Sequence, residues 1–176
     1  MIIGVINIKG GVGKTTSSLA IATAAQRSGL SVTVVDTDPQ GSATLWTQAA
    51  EDADDPLPFP VVSRNQAEIR RMRERRPDRN GELIVIDTPP NGAVVDEAIK
   101  TADFVVIPTL SSPIDLQQTM LTAAQCQDAG KDYAVLIVMA RKGTNALRAF
   151  RTAVEEYGAG IFDTEIPLRE DFKADF

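Results

Sequence analysis

The chain has 176 residues, a formal net charge of −6, 43% hydrophobic residues, one cysteine and no histidine. That length and apolar content suit one ordinary domain with a sizeable core, while histidine chemistry, a Cys/His zinc site and a disulfide framework are excluded. Apolar runs such as Leu83 to Ile86 fall far short of the roughly 20 residues a membrane span needs, so a cytosolic protein is expected. In chain order, short β-branched runs alternate with Ala-rich segments of helical period. Strand Ile2 to Ile8 leads into a helix from Lys14 to Ser28, and strand Ser31 to Asp36 into a helix from Ser42 to Ala50. A weak strand at Pro60 to Ser63 precedes an arginine-rich helix from Asn65 to Arg76, and strand Glu82 to Asp87 precedes a helix from Ala93 to Thr101. Strands Asp103 to Pro108 and Tyr133 to Met139 introduce helices Ile114 to Ala129 and Asn145 to Tyr157, with a weak last strand at Gly160 to Thr164. This alternation predicts an α/β fold, a mostly parallel twisted sheet with helices on both faces and right-handed crossovers. Ligands of such sheets bind beyond the carboxyl ends of the strands.

The unusual residues collect at those ends. "NIKGGVGKTT", residues 7 to 16, lies between the first strand and the first helix. The phosphate-loop pattern G-x-x-x-x-G-K-[ST] fits at Gly13-Lys14-Thr15, but Ile8 stands where the first glycine belongs, so the match is to a variant. Gly10, Gly11 and Gly13 permit a tight turn whose N–H groups face an anion, and the helix that follows adds its positive end. In that pattern Lys14 reaches the β and γ phosphates and Thr15 gives its hydroxyl to Mg2+. A second lysine, Lys9, sits on the same loop. "VVDTDPQGS", residues 34 to 42, ends the second strand with Asp36 and Asp38 on one side. The Asp-Pro-Gln-Gly run would also serve as a plain turn. "ELIVIDTPPN", residues 82 to 91, runs apolar residues into Asp87, the form of a magnesium-holding Walker B.

Taken together, "KGGVGKT" and these two carboxylate motifs resemble the deviant Walker A class of ATPases, the ParA/MinD class, over essentially the whole chain. The resemblance implies a P-loop fold that binds ATP through Lys9, Gly10, Gly11, Val12, Gly13, Lys14, Thr15 and Thr16. It implies that Lys9 reaches across a sandwich homodimer to the partner's phosphates, and that Lys14 and Asp38 complete the catalytic set, Asp38 positioning water. Mg2+ would be held by Thr15 and Asp87 with Asp36 in support, and Thr88 to Asn91 would form a γ-phosphate switch. Pro108, Pro113 and Asp115 match a loop near the dimer interface. Arg141, Pro167 and Arg169 match the places where the class lines its adenine pocket, although each could equally be a surface turn.

The surroundings narrow the class. The lone Cys126 argues against iron-sulfur carriers, and the chain given shows no amphipathic membrane helix of the MinD kind, so no membrane partner is expected. The resemblance points to a small partition ATPase occupying residues 1 to 176 as one domain, without the last helix or two that the class usually carries. Its ATP-bound dimer would bind DNA non-specifically at the nucleoid, and a centromere-binding adaptor of the ParB/ParG kind would stimulate slow hydrolysis and release a plasmid or chromosome. Two alternatives stay open: a ParA-like positioning ATPase for a protein cargo, and a MinD-like division-site regulator. With a negative overall charge, any DNA contact must be local. The candidates are Arg141, Lys142, Arg148 and Arg151, or the helix within residues 64 to 79, which carries seven arginines against three acids. Ile69 and Met72 give that helix only a narrow apolar stripe, the mark of a solvated surface helix.

Overall fold

Valine and isoleucine fill the strands because both faces of the sheet are covered. The computed structural model describes residues 1–74 and 81–168. Among them run β1 (Ile2–Val5), α1 (Lys14–Arg27), β2 (Ser31–Asp36), α2 (Ser42–Asp52), β3 (Val61–Ser63), α3 (Gln66–Glu74), β4 (Glu82–Asp87), α4 (Ala93–Thr101), β5 (Phe104–Thr109), α5 (Pro113–Asp128), β6 (Tyr133–Ile137) and α6 (Asn145–Glu156). The strands form one sheet in the order β3-β2-β4-β1-β5-β6, and every pair in it is parallel. Successive strand residues point to opposite faces, so Val85 packs with Leu19 and Ala22 of α1, while Ile84 and Ile86 pack with Ile69 of α3 and Ile99 of α4.

The register places the chemistry. Asp36 of β2 and Val5 of β1 both lie opposite Asp87 of β4. Three neighbouring strands therefore end at one level, and the three predicted motifs leave the sheet side by side.

Local sequence chemistry fixes the helix starts. Ser112 caps α5 in a reciprocal box with Asp115, and a proline occupies the first turn. Thr144 accepts from the Leu147 amide to cap α6, and Asn65 and Glu68 exchange two bonds at the start of α3.

Several boundaries differ from the sequence expectation by a residue or two, and three strand readings depart further or have a clear local cause. The first strand stops at Val5 rather than Ile8, because Asn7 turns its side chain onto the Pro108 carbonyl and its own loop. The sixth stops at Ile137 because Met139 adopts a positive φ of 51°. Residues 160 to 164 form only an isolated bridge to Val135, not a strand. The predicted residues Arg75 and Arg76 of the third helix lie outside the described residues.

Ile69 is the fully buried anchor of α3, as the narrow stripe implies. Ile69→Ala should cost about 2 to 5 kcal/mol of stability in urea denaturation.

Candidate functional site

The loop between β1 and α1 is braced by its own Asn7 and by contacts to β5 and α5. The Asn7 side chain donates to the Pro108 carbonyl at 2.9 Å and accepts the Lys9 amide at 2.9 Å. Thr122 of α5 accepts the Ile8 amide at 3.3 Å, and Val12 is buried. Gly11 and Gly13 both take φ of 72°, a left-handed conformation that favours glycine. A Cβ built on Gly10 or Gly11 would meet nothing within 4 Å, so the loop's rim is open there. An oxyanion has room against this rim and faces the amino end of α1.

Lys14 is buried, and its ammonium donates to the Lys9 carbonyl at 2.8 Å. Burial lowers its pKa, partly offset by the charges of Asp87 and Asp38. Those two carboxylates thus share the field of one ammonium. Asp87 is fully buried and held from both sides: Thr15 donates to one oxygen at 2.8 Å and Ser18 to the other at 3.0 Å. Burial raises its pKa to about 6, against the pull of the Thr15 and Ser18 bonds; Asp36 pushes the same way as burial, and Lys14 opposes it.

Asp36 spends both oxygens on the second motif. One accepts the Asp38 amide at 3.1 Å, and the other takes the Thr44 amide and hydroxyl at 3.0 and 2.8 Å. Its place is beside Asp87, anchoring the start of α2. Asp38 is half-buried, accepts the Gln40 amide at 2.9 Å, and lines an open cavity of about 340 Å3 with Asp36, Arg64 and Glu68.

Among the described residues no cluster of three or more acidic, histidine or cysteine side chains could hold a metal alone. The oxygen pair of Thr15 and Asp87 suits a hard cation such as Mg2+, which commonly takes one or two protein ligands and draws the rest from phosphates and water. These residues fit the group expected from the sequence.

The second lysine lies apart. Lys9 forms an ion pair with Asp115 at the amino end of α5, and Asp115 is also bonded by Ser112. Burial works to raise the Asp115 pKa, but the bonds from Lys9 and Ser112 outweigh it and hold it below the ordinary carboxylate range.

The sequence-predicted adenine loops also meet. Ala140 bridges Pro167, with the Ala140 amide on the Ile166 carbonyl at 2.9 Å and the Leu168 amide on the Ala140 carbonyl at 3.1 Å. Arg141 projects next to that seam, exposed, and Arg169 lies outside the described residues. The basic patch is smaller than the sequence suggests. Arg151 gives two bonds to the Phe162 carbonyl, at 3.1 and 2.9 Å, and pairs with Glu165, which leaves Arg141, Lys142 and Arg148 exposed. Arg70 and Arg73 of the arginine-rich helix face the buried Glu97 of α4.

Sequence reasoning missed Asn7, Ser18 and Thr44, and it did not pair Lys9 with Asp115. Ser18 had a usable signal: it follows Thr15 by three positions, on the same helical face.

The raised Asp87 pKa has a signed consequence. The folded state binds this proton more tightly than the unfolded state does, so ionising Asp87 costs stability as pH rises from about 4 to about 6. Asp87→Asn should therefore stabilise the ligand-free protein by about 1 to 3 kcal/mol at pH 7. Urea denaturation across pH should show the gain disappearing near pH 4.

The chain is similar to known proteins over most of its length. Residues 3–176 match the CobQ/CobB/MinD/ParA nucleotide binding domain. The chain is 34% identical to maintenance of carboxysome distribution protein A of Gloeobacter kilaueensis, over 94% of this chain and 76% of that one. It is 30% identical to the protein of the same name from Halothiobacillus neapolitanus, over 97% and 81%, and 25% identical to protein ParA of Rhizobium radiobacter, over 99% and 82%. Cobyrinic acid a,c-diamide synthase of Mycobacterium smegmatis, solved with bound ADP and magnesium, shares the fold at a TM-score of 0.77 and 20% identity, over 96% and 87% of the two chains. With a six-stranded parallel sheet, a variant phosphate loop and a match from Ile3 to the last residue, the chain belongs to the ParA/MinD family of P-loop nucleotide-binding proteins.

Proposed function

We propose that this chain is a ParA-type ATPase that spaces a protein cargo along nucleoid DNA through an ATP-dependent homodimer. The observation that carries the reading is the division of labour between two lysines on one loop. Lys14 is buried toward Asp87, whereas Lys9 sits toward the loop's outer side, against α5. One ammonium serves the phosphates of its own subunit. The other would serve a second subunit, the part an arginine finger plays in other phosphoryl transfers.

In this account the amides of Gly10 to Thr16 and the Lys14 ammonium orient the phosphates of ATP. Thr15 and Asp87 would hold Mg2+, which would supply positive charge against the phosphates. Ser18 keeps the Asp87 carboxylate turned toward that position. Asp38 positions the attacking water, and Lys9 of each subunit stabilises charge on the other's γ phosphate. The segment from Thr88 to Gly92, directly between Asp87 and α4, relaxes after hydrolysis and releases the dimer. Arg141 and the residues at the loop meeting Pro167 flank the base.

The cargo reading draws on the two carboxysome-distribution relatives, each at 30% identity or more over most of its length. Arg141, Lys142 and Arg148 of two subunits, joined in one dimer, would grip DNA phosphates by avidity without reading bases. Plasmid or chromosome partition with a centromere-binding adaptor is the second reading, favoured by the ParA relative. Deleting the gene separates the two. A protein cargo that collapses into clusters while replicons are retained supports positioning, and replicon loss with normal cargo spacing overturns it.

Two variants test the chemistry. Lys14→Ala should weaken ATP binding at least tenfold through loss of a charge-assisted bond. Asp38→Ala should still bind ATP and remain on DNA as a dimer, with hydrolysis reduced about a hundredfold or more. Equilibrium nucleotide binding, phosphate release and DNA binding across a salt series read these outcomes directly.

A further inference from the structure

The side-chain bonds of Asp36 and Asp38 stay within residues 36 to 44 and fix the shape of that loop. They do not set where the loop stands relative to Asp87. Thr37 does. Its amide donates to the Asp87 carbonyl at 3.0 Å, continuing the ladder between β2 and β4, and its hydroxyl donates to the same oxygen at 2.7 Å. Thr88, the residue after Asp87, sends its hydroxyl the other way, to the Val5 carbonyl at 3.1 Å. The Asp87 end of β4 is thus bonded to β2 on one side and to β1 on the other, and both threonines are buried.

Pairing two parallel strands needs only the amide. A valine would fill the same buried volume with the same branched shape, as Val32, Val34 and Val35 do along β2. The sheet therefore does not account for the hydroxyl. What the hydroxyl adds is a second bond between the residue before Asp38 and the residue that ends β4, on a carbonyl that has two lone pairs to offer. Two donors from one residue on one oxygen fix both the place of Thr37 and its rotation.

We infer that Thr37 is a positioning residue whose hydroxyl holds Asp38 at a set place relative to Asp87 and so aligns the attacking water with the γ phosphate. The inference rests on the reading that Asp38 positions that water. Thr37 acts through Asp38 and touches neither nucleotide nor water itself. Binding of ATP belongs to the phosphate loop, so loss of the hydroxyl falls on the rate and not on the affinity.

Thr37→Val keeps the amide bond and the branched shape and removes the hydroxyl. At saturating ATP its hydrolysis rate should fall about tenfold, because small displacements of a positioning group are costly in rate. Its equilibrium affinity for ATP should stay within about twofold of wild type, whereas binding of ADP with aluminium fluoride, which imitates the phosphoryl group in transfer, should weaken about tenfold. Thr37→Ser restores a hydroxyl and should recover most of both losses. Melting temperatures check the fold, and if the valine variant melts early, Thr37→Ala is measured in its place with the same expectations. In an Asp38→Ala background, Thr37→Val should lower the residual rate no further, a result that general damage to the site does not give. A wild-type rate for the valine variant, a serine variant no faster than it, an ATP affinity that falls as much as the rate, or an equal loss in the Asp38→Ala background overturns the inference. If instead Asp38→Ala alone hydrolyses ATP at the wild-type rate, the reading of Asp38 has failed, and the role of Thr37 falls with it.

Discussion

Everything at this site depends on the register of three parallel strands. Because Asp36, Asp87 and Val5 share one level across β2, β4 and β1, the two carboxylate motifs and the phosphate loop emerge together. A slip of one residue in β4 would turn Asp87 to the other face of the sheet and leave Thr15 and Ser18 without their acceptor. The buried hydrophobic alternation on both faces opposes such a slip. Ile84 and Ile86 fill one cluster and Val85 the other, so the core that stabilises the fold also aims the groups of the candidate site.

Within that frame the site concentrates buried charge, and this costs stability in the absence of ligand. Lys14 has its pKa lowered by burial and Asp87 has its raised by burial. Burial disfavours the charged form of both where they stand, and each partly offsets this for the other. Lys9 is treated differently. Its partner Asp115 is held by a helix cap and forms an ion pair with it. The two lysines thus differ in setting: Lys14 is buried and donates to the Lys9 carbonyl, and Lys9 is partly exposed and paired with Asp115.

The sheet and its order of elements were legible because each strand is a β-branched run and each helix has an apolar period or a cap. The weak candidates behaved according to what supports them. Val61 to Ser63 pairs with β2 and forms a strand, but the Gly160 segment has only the outer edge of β6 to meet and makes a single bridge. Of the site, Gly11, Gly13, Lys14, Thr15 and Asp87 were legible because their chemistry follows from residue type and spacing. Asn7, Ser18 and Thr44 were not, since a neutral hydroxyl or amide becomes important only through the partner it meets in space. The Lys9–Asp115 pair spans 106 residues, and no local pattern encodes such a contact. Arg151 shows the reverse error: a basic residue that reads as a nucleic-acid contact is spent on the Phe162 carbonyl and Glu165. The relatives shift the expected cargo from a replicon toward a protein assembly, a distinction that lies in partners rather than in the nucleotide site.

If each subunit's Lys9 works in the other's site, mixing two inactive variants restores activity. A Lys9→Ala subunit keeps its own ATP site and Asp38 but lacks the lysine to lend; an Asp38→Ala subunit can lend Lys9 but cannot position water. Each alone should be inactive. An equimolar mixture should recover about a quarter of the wild-type ATPase rate, since random pairing gives half mixed dimers with one working site each. A mixture as inactive as its components, with mixed dimers shown to form, would mean that Lys9 acts within its own subunit and would contradict the account.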